Sequence, residues 1–295
     1  MQHRFPLEFD ADFYRSIHAD LWNHDAAALV HHYETFGRAE GRRATPAVPR
    51  EQFVALFPSR VPTLEIGPFN NPLATGNNVR YFDVLDRDGL IERAKRFGFG
   101  HETVPQIDYV HPIGDLSIIS EKFDVVISSH LVEHQPDLVR HLAQIGSLLT
   151  DEGLYFCFIP DKRYCFDHFI AESSIADVCE AHSSGRIVHT LGSVMEHRAL
   201  TTHNDPLRHW NGDHERISKD PNRVKAAIDE FGAAQGRYLD VHGWQFTPSS
   251  FKGIINMLET LRYIDLSPIR VYDTPFGSNE FCAILKKEKS CGIDG

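Results

Sequence analysis

The side chains in this sequence with chemical potential are acids and histidines placed where strands run out. Leu64-Glu65-Ile66 is a short apolar run holding one acid, and it breaks at Gly67-Pro68 and again at Asn70-Asn71-Pro72. A strand that ends in Gly, Pro and Asn has the form of the first βα turn of a nucleotide-binding sheet. A glycine at 67 lets the backbone come close to a ligand, because a Cβ would fill the space the ligand needs. Val79–Asp83 then ends a second run in an acid, about 18 residues beyond Glu65. An acid there can accept hydrogen bonds from both hydroxyls of a ribose.

Histidines form the second group. His130, Glu133 and His134 stand at i, i+3 and i+4, which puts them on one side of a helical turn. Imidazole suits proton transfer because its pKa lies close to working pH. Further on, His182, His189, His197, His203, His209 and His214 crowd one segment with Trp210 and Asp213, and His242 follows. Metal-ligand types are abundant there, but no spacing fixes a site, and no metal ligand is assigned.

The elements that position these groups alternate as an α/β sheet requires. After Val79–Asp83, residues 89–97 have helical character and supply a crossover. Residues 107–110 offer a third strand, Phe123–Ser129 a fourth whose unbroken apolar run suits burial on both faces, and residues 153–160 a fifth. Pro136 suits the first turn of a helix striped by Leu138, Leu142, Ile145 and Leu149. Thr247-Pro248-Ser249-Ser250 is a capped helix start, and residues 269–272 with 280–286 read as a closing hairpin. Asp161-Lys162-Arg163-Tyr164 follows the fifth strand, where ligands of open parallel sheets bind.

LEIGPFNNP, VRYFD, GDLSIISEKFDVVISSHLVEHQPD and TDEGLYFCFIPD together resemble a class I S-adenosylmethionine (SAM) methyltransferase over roughly residues 60–165. Phe69 and Asn71 depart from that family's glycine loop. The resemblance implies a Rossmann-like sheet, parallel with a C-terminal antiparallel hairpin, and SAM as cofactor. It implies that Glu65, Gly67, Pro68 and Asn70 serve the amino-acid end, Asp83 the ribose, Asp115 and Leu116 the adenine, with His130 beside them. The methyl group in this family projects where strands four and five meet the insertion at about 165–245, a mainly helical cap. His130, Asp161, His203 and His209 are therefore the candidate bases for a hydroxyl acceptor. A few SAM-dependent enzymes hold a divalent metal with an E-x-x-E-H grouping; here His130 replaces its first acid, and a metal is not favoured.

Residues 1–48 read as a helical module and linker before a methyltransferase domain at 49–295. Residues 9–22 and 25–36 form two short helices, stopped by Gly37 and Gly41, and residues 45–49 form the linker. The module resembles one found beside bacterial glycosyltransferase and polysaccharide-assembly domains; a plain helical lid is the alternative. That context, with Trp210, Tyr164 and Trp244 in the cap region, points to O-methylation of a sugar hydroxyl in a glycan or its precursor, with polysaccharide-assembly enzymes as partners. Another small-molecule or peptide-like acceptor, an NAD-type oxidoreductase and a SAM-fold binding protein without catalysis stay open.

The 295 residues carry a net charge of −11, which disfavours a nucleic-acid partner. No apolar run is long enough to insert in a membrane, and the first residues lack a signal peptide's apolar core, so a cytoplasmic protein is expected. Five cysteines without a C-x-x-C pair suggest reduced thiols.

Overall fold

The computed structural model describes residues 9–37, 39–40, 42–217 and 220–288; Gly41 and Cys291 lie outside them. Among these residues the strands are β1 (Thr63–Ile66), β2 (Val79–Asp83), β3 (Tyr109–Val110), β4 (Phe123–Ser129), β5 (Leu149–Pro160), β6 (Leu266–Val271) and β7 (Glu280–Lys287). They form one sheet in the order β3-β2-β1-β4-β5-β7-β6. β7 runs antiparallel to both β5 and β6, and every other pairing is parallel. This is the Rossmann-like sheet of the class I methyltransferase fold, with its one reversed strand next to the edge.

Ten α-helices accompany it among the described residues: α1 (Ala11–Ile17), α2 (Ala26–His32), α3 (Arg50–Val54), α4 (Arg87–Phe97), α5 (Leu138–Leu148), α6 (Ile175–Ser183), α7 (Leu191–Ala199), α8 (Pro206–Trp210), α9 (Pro221–Ala234) and α10 (Pro248–Thr260). The central strands are covered on both faces. Val126, Tyr155, Cys157 and Ile159 pack with α5 and α10, while Val125, Ile127, Phe156 and Phe158 pack with Phe53 of α3 and Leu56. Double burial explains why β4 and β5 read as continuous apolar runs instead of alternating ones.

Helix starts follow their caps. Asp86, Asp137 and Ser174 accept backbone N–H bonds at the starts of α4, α5 and α6, and Thr247 and Ser250 form a capping box for α10. Pro136 therefore lies before the cap of α5 and not in its first turn. Leu149, expected on the stripe of that helix, already begins β5.

Residues before the sheet gather a small core of their own from Tyr14, Leu21, Leu29, Tyr33 and Ala44. The stretch at 45–49 is pinned to the sheet: the Asp273 N–H donates to Pro46 O at 2.6 Å, and Val48 is buried in the main core. Residues 165–245 supply α6 to α9, with α7 packed on α9. The four described cysteines are free thiols. No helix among the described residues is long and apolar enough to cross a membrane.

Leu142 of α5 is fully buried in the core, whereas Ile228 of α9 is 45% exposed. Leu142→Ala should cost about 2–5 kcal/mol in urea denaturation, and Ile228→Ala should stay within about 0.5 kcal/mol of the wild type.

Candidate active site

The carboxyl ends of β1, β2 and β4 open on one cavity of about 680 Å³. Gly67 and Phe69 after β1, Asp83, Val84 and Leu85 from β2 onward, Ile113 after β3, and Ser129, His130 and His134 at and beyond the end of β4 line it. Gly67 holds φ 71°, its N–H donates to Phe82 O at 2.9 Å, and a Cβ there would stand 3.5 Å from Leu131. Phe69 also takes a left-handed φ of 45°, which costs a non-glycine residue about 1–2 kcal/mol. Its ring packs against Leu90, Val104 and Ile107.

The acids expected for the cofactor divide into two kinds. Asp83 lines the cavity, 7% exposed, with Oδ1 accepting from the Val84 and Leu85 N–H groups at 2.7 and 3.3 Å. Burial pushes its carboxyl up to about 6 despite those bonds. Glu65 is outside the lining and braces the loop instead, accepting from the Leu73 and Ala74 N–H groups at 2.8–3.0 Å. Burial raises it to about 7.

Asp115 caps the short turn after it and is bound by Arg140 and Gln144 at 2.8 and 2.5 Å. Bonds to the Ser117 backbone and to these side chains hold it down to about 2. Leu116 is a core residue whose N–H donates to Gln144 Oε1. Pro68 is buried and Asn70 donates to Gly100 O. None of these four is part of the cavity lining.

Of the candidate bases, the structure brings only His130 to the cavity. Its φ of 50° turns it inward, and its N–H donates to Phe158 O at 3.0 Å. Nε2 lies 2.7 Å from Glu280 Oε2, and Arg50 grips the same carboxylate with two bonds of 2.8 Å. Burial alone would raise Glu280, but His130 and Arg50 outweigh it and hold the carboxyl low.

Asp161 is wholly buried, clasped by Arg163 and Thr274, and is not part of the cavity lining. His203 has both ring nitrogens engaged, by Asp213 O and the Asp205 N–H. His209 is buried between His203 O and His214 Nδ1. All three are outside the cavity lining and engaged by other groups of the chain, near in sequence for His203 and His209 and partly distant for Asp161.

Among the lining residues that the sequence reading did not single out are His141 and Asp240. His141 is buried on the apolar stripe of α5, and neither ring nitrogen has a hydrogen-bond partner among the described residues. Burial lowers it to about 4, so it is neutral. Its place at i+3 from Leu138 was the available signal. Asp240 also lines the cavity, paired with Arg93 at 2.5 Å, and nothing in its local sequence marks it.

No family model and no curated protein matches the sequence. Solved structures give likenesses at low identity. The CcbJ methyltransferase from Streptomyces caelestis is 11% identical, over 80% of this chain and 87% of that one, at a TM-score of 0.42. Magnesium protoporphyrin IX methyltransferase from Synechocystis, with bound S-adenosylhomocysteine, is 11% identical over 90% and 100%, at 0.38. A protein described provisionally as a Zn-dependent alcohol dehydrogenase from Rhodobacter sphaeroides is 14% identical over 82% and 92%, at 0.41. Likenesses at this level carry no weight for what the chain does, which rests on its own residues.

Because the Glu65 carboxyl is raised from 4.5 to about 7 on folding, the folded chain holds a proton that the unfolded chain loses first. Its contribution to stability is full below pH about 4.5 and falls as pH rises to about 7, by on the order of 3 kcal/mol. Urea melts at pH 5 and 7.5 should show a smaller loss of stability with pH in Glu65→Gln than in the wild type.

Proposed function

We propose that this chain is a SAM-dependent methyltransferase that methylates an acceptor hydroxyl. The observation that carries this reading is one cavity whose wall holds Gly67, Asp83, His130 and His134 together. Its volume suits a ligand of nucleoside size. Gly67 admits a ligand against the backbone, Asp83 offers a carboxylate to ribose hydroxyls, and Val84, Leu85 and Ile113 give apolar faces for adenine. When bound, SAM supplies the methyl group: the acceptor's lone pair takes it, the C–S pair returns to sulfur as S-adenosylhomocysteine, and the acceptor's proton leaves.

The residues of this chain have three tasks in such a reaction: to hold the donor, to align the acceptor and to exclude water. His130 and His134, from the end of β4 onward, line the same cavity and are the groups we assign to the acceptor. Arg93, Gln135, Tyr238 and Asp240 add polar groups to the wall. A sugar hydroxyl of a bacterial glycan or glycan precursor is the acceptor class we favour. Supporting it are the polar groups set in a mostly apolar wall, the acidic net charge and the resemblance of the first 48 residues. Trp244 is buried, and Tyr164 and Trp210 stack on each other at 3.9 Å outside the lining, so these rings are not its platform. The same resemblance makes polysaccharide-assembly enzymes the proposed partners.

Calorimetry should find SAM bound by the wild type and weakened by about 1–3 kcal/mol in Asp83→Asn. Since ribose hydroxyls donate to the ionised acid, wild-type affinity should rise with pH through about 6, and that of Asp83→Asn should not. No binding by the wild type would end the reading. For the acceptor, host glycans compared by mass spectrometry with and without the protein should differ by a methyl group; unchanged glycans would exclude the sugar.

A further inference from the structure

Glu133 is 1% exposed, and neither carboxylate oxygen has a hydrogen-bond partner among the described residues. A buried carboxylate left this way is costly, so a partner of some kind is required. Three imidazole nitrogens surround its Oε1: His134 Nε2 at 3.6 Å, His130 Nδ1 at 3.8 Å and His242 Nε2 at 4.0 Å. These distances are too long for hydrogen bonds. They match the spacing of donors that share one ion, since ligands about 2.0–2.2 Å from a common centre stand roughly 3–4 Å apart. The donor atoms of Glu133, His134 and His242 all lie within 4.8 Å of one another.

Each of these imidazoles has a carboxylate behind its other nitrogen. His242 Nδ1 is 2.6 Å from Asp167 Oδ2, and His130 Nε2 is 2.7 Å from Glu280 Oε2. His134 Nδ1 is 3.0 Å from Asp240 Oδ1, obliquely. A carboxylate behind a histidine fixes the tautomer and turns the remaining lone pair toward the centre, as at metal sites. The backbone is held as firmly. The Gly243 N–H donates to Glu133 O at 2.7 Å, and a Cβ on Gly243 would meet the His189 ring at 2.7 Å. Glycine at 243 thus lets the His242 segment close on Glu133.

We propose that Glu133, His134 and His242 hold a divalent transition-metal ion at the wall of the cavity, with His130 beside its open side. Two imidazoles and a carboxylate suit zinc, manganese, iron or cobalt better than magnesium. His130 and His134 line the cavity, so open positions on the ion face it. The role of the ion rests on the reading of the cavity as a methyltransferase site. There it binds the acceptor oxygen and lowers the hydroxyl's pKa, so that the proton leaves to water as the oxygen attacks. The candidate bases Asp161, His203 and His209 are all engaged elsewhere, and this ion takes over their task.

Two other groups among the described residues come as close: that of Asp167, His197 and His242 shares His242, whose Nδ1 already sits on Asp167, and that of His168, His209 and His214 is explained without an ion. His209 Nδ1 and His214 Nδ1 share a hydrogen bond of 3.0 Å, and His168 stacks on His214 at 3.8 Å. It serves as the control.

The test uses the full chain stripped with dipicolinate and titrated with Co²⁺, followed by visible d–d absorption and equilibrium dialysis. One Co²⁺ per chain is expected, displaced by Zn²⁺. Glu133→Gln and His134→Ala should lose it, Asp167→Asn should weaken it by about 10–100-fold, and His214→Ala should leave it unchanged. Circular dichroism and SAM calorimetry accompany each variant, and the read-out passes to His134→Ala if Glu133→Gln is unfolded. SAM binding without stoichiometric Co²⁺ in the wild type overturns the metal site alone. Wild-type Co²⁺ affinity in folded Glu133→Gln or His134→Ala, or its loss in His214→Ala, overturns it too. Co²⁺ binding without SAM binding overturns the methyltransferase reading and leaves the metal site standing.

Discussion

The His130 N–H donates to Phe158 O across the last register of β4 and β5, and the chain then turns through φ 50° at His130. A left-handed histidine is strained by about 1–3 kcal/mol, and such strain persists only where surrounding structure over-determines it. Here β4 is locked between β1 and β5, while the Glu133 carbonyl is tied to Gly243. The turn sends His130 into the cavity and then carries Glu133 under the chain in a short 3₁₀ turn, Val132–His134. The cavity wall and the buried carboxylate therefore come from one backbone event.

The reversed strand contributes to the same place. Because β7 runs against β5, it begins at the edge where β4 and β5 end, and its first residue is Glu280. A parallel strand would have brought its last residue there. Glu280 then joins Arg50 of α3 to His130, so the segment before the sheet, the centre of the sheet and its last strand meet in one ionic group. Arg50 also donates to Ser129 Oγ and lies over the Phe158 ring at 4.2 Å. Mutations at Arg50 would thus be felt at His130 although Arg50 lies outside the cavity lining.

How much of this could be read from sequence depended on whether a residue's neighbours were local. β4 has the bounds its apolar run suggested, because a strand buried on both faces leaves little freedom in composition. Thr247 marked the start of α10 for a similar local reason, whereas Pro136 did not mark that of α5. Side-chain direction was less legible. Glu65 and Asp83 both sit at strand ends, yet one turns to the loop backbone and the other to the cavity. Asp161 stands two residues from Arg163, a partner the sequence displayed, but that the pair closes on itself depends on Thr274 from a distant loop. The spacing of His130, Glu133 and His134 was plain, whereas His242, Asp167 and Asp240 complete the surroundings from far along the chain.

The measurement closest to the central claim is a crystal structure of the full chain soaked with S-adenosylhomocysteine. The account predicts the ligand in the cavity over Gly67, with ribose hydroxyls on Asp83 and its sulfur on the side of His130 and His134. Ligand bound elsewhere on the sheet, or ribose held by another residue with Asp83 untouched, would contradict it.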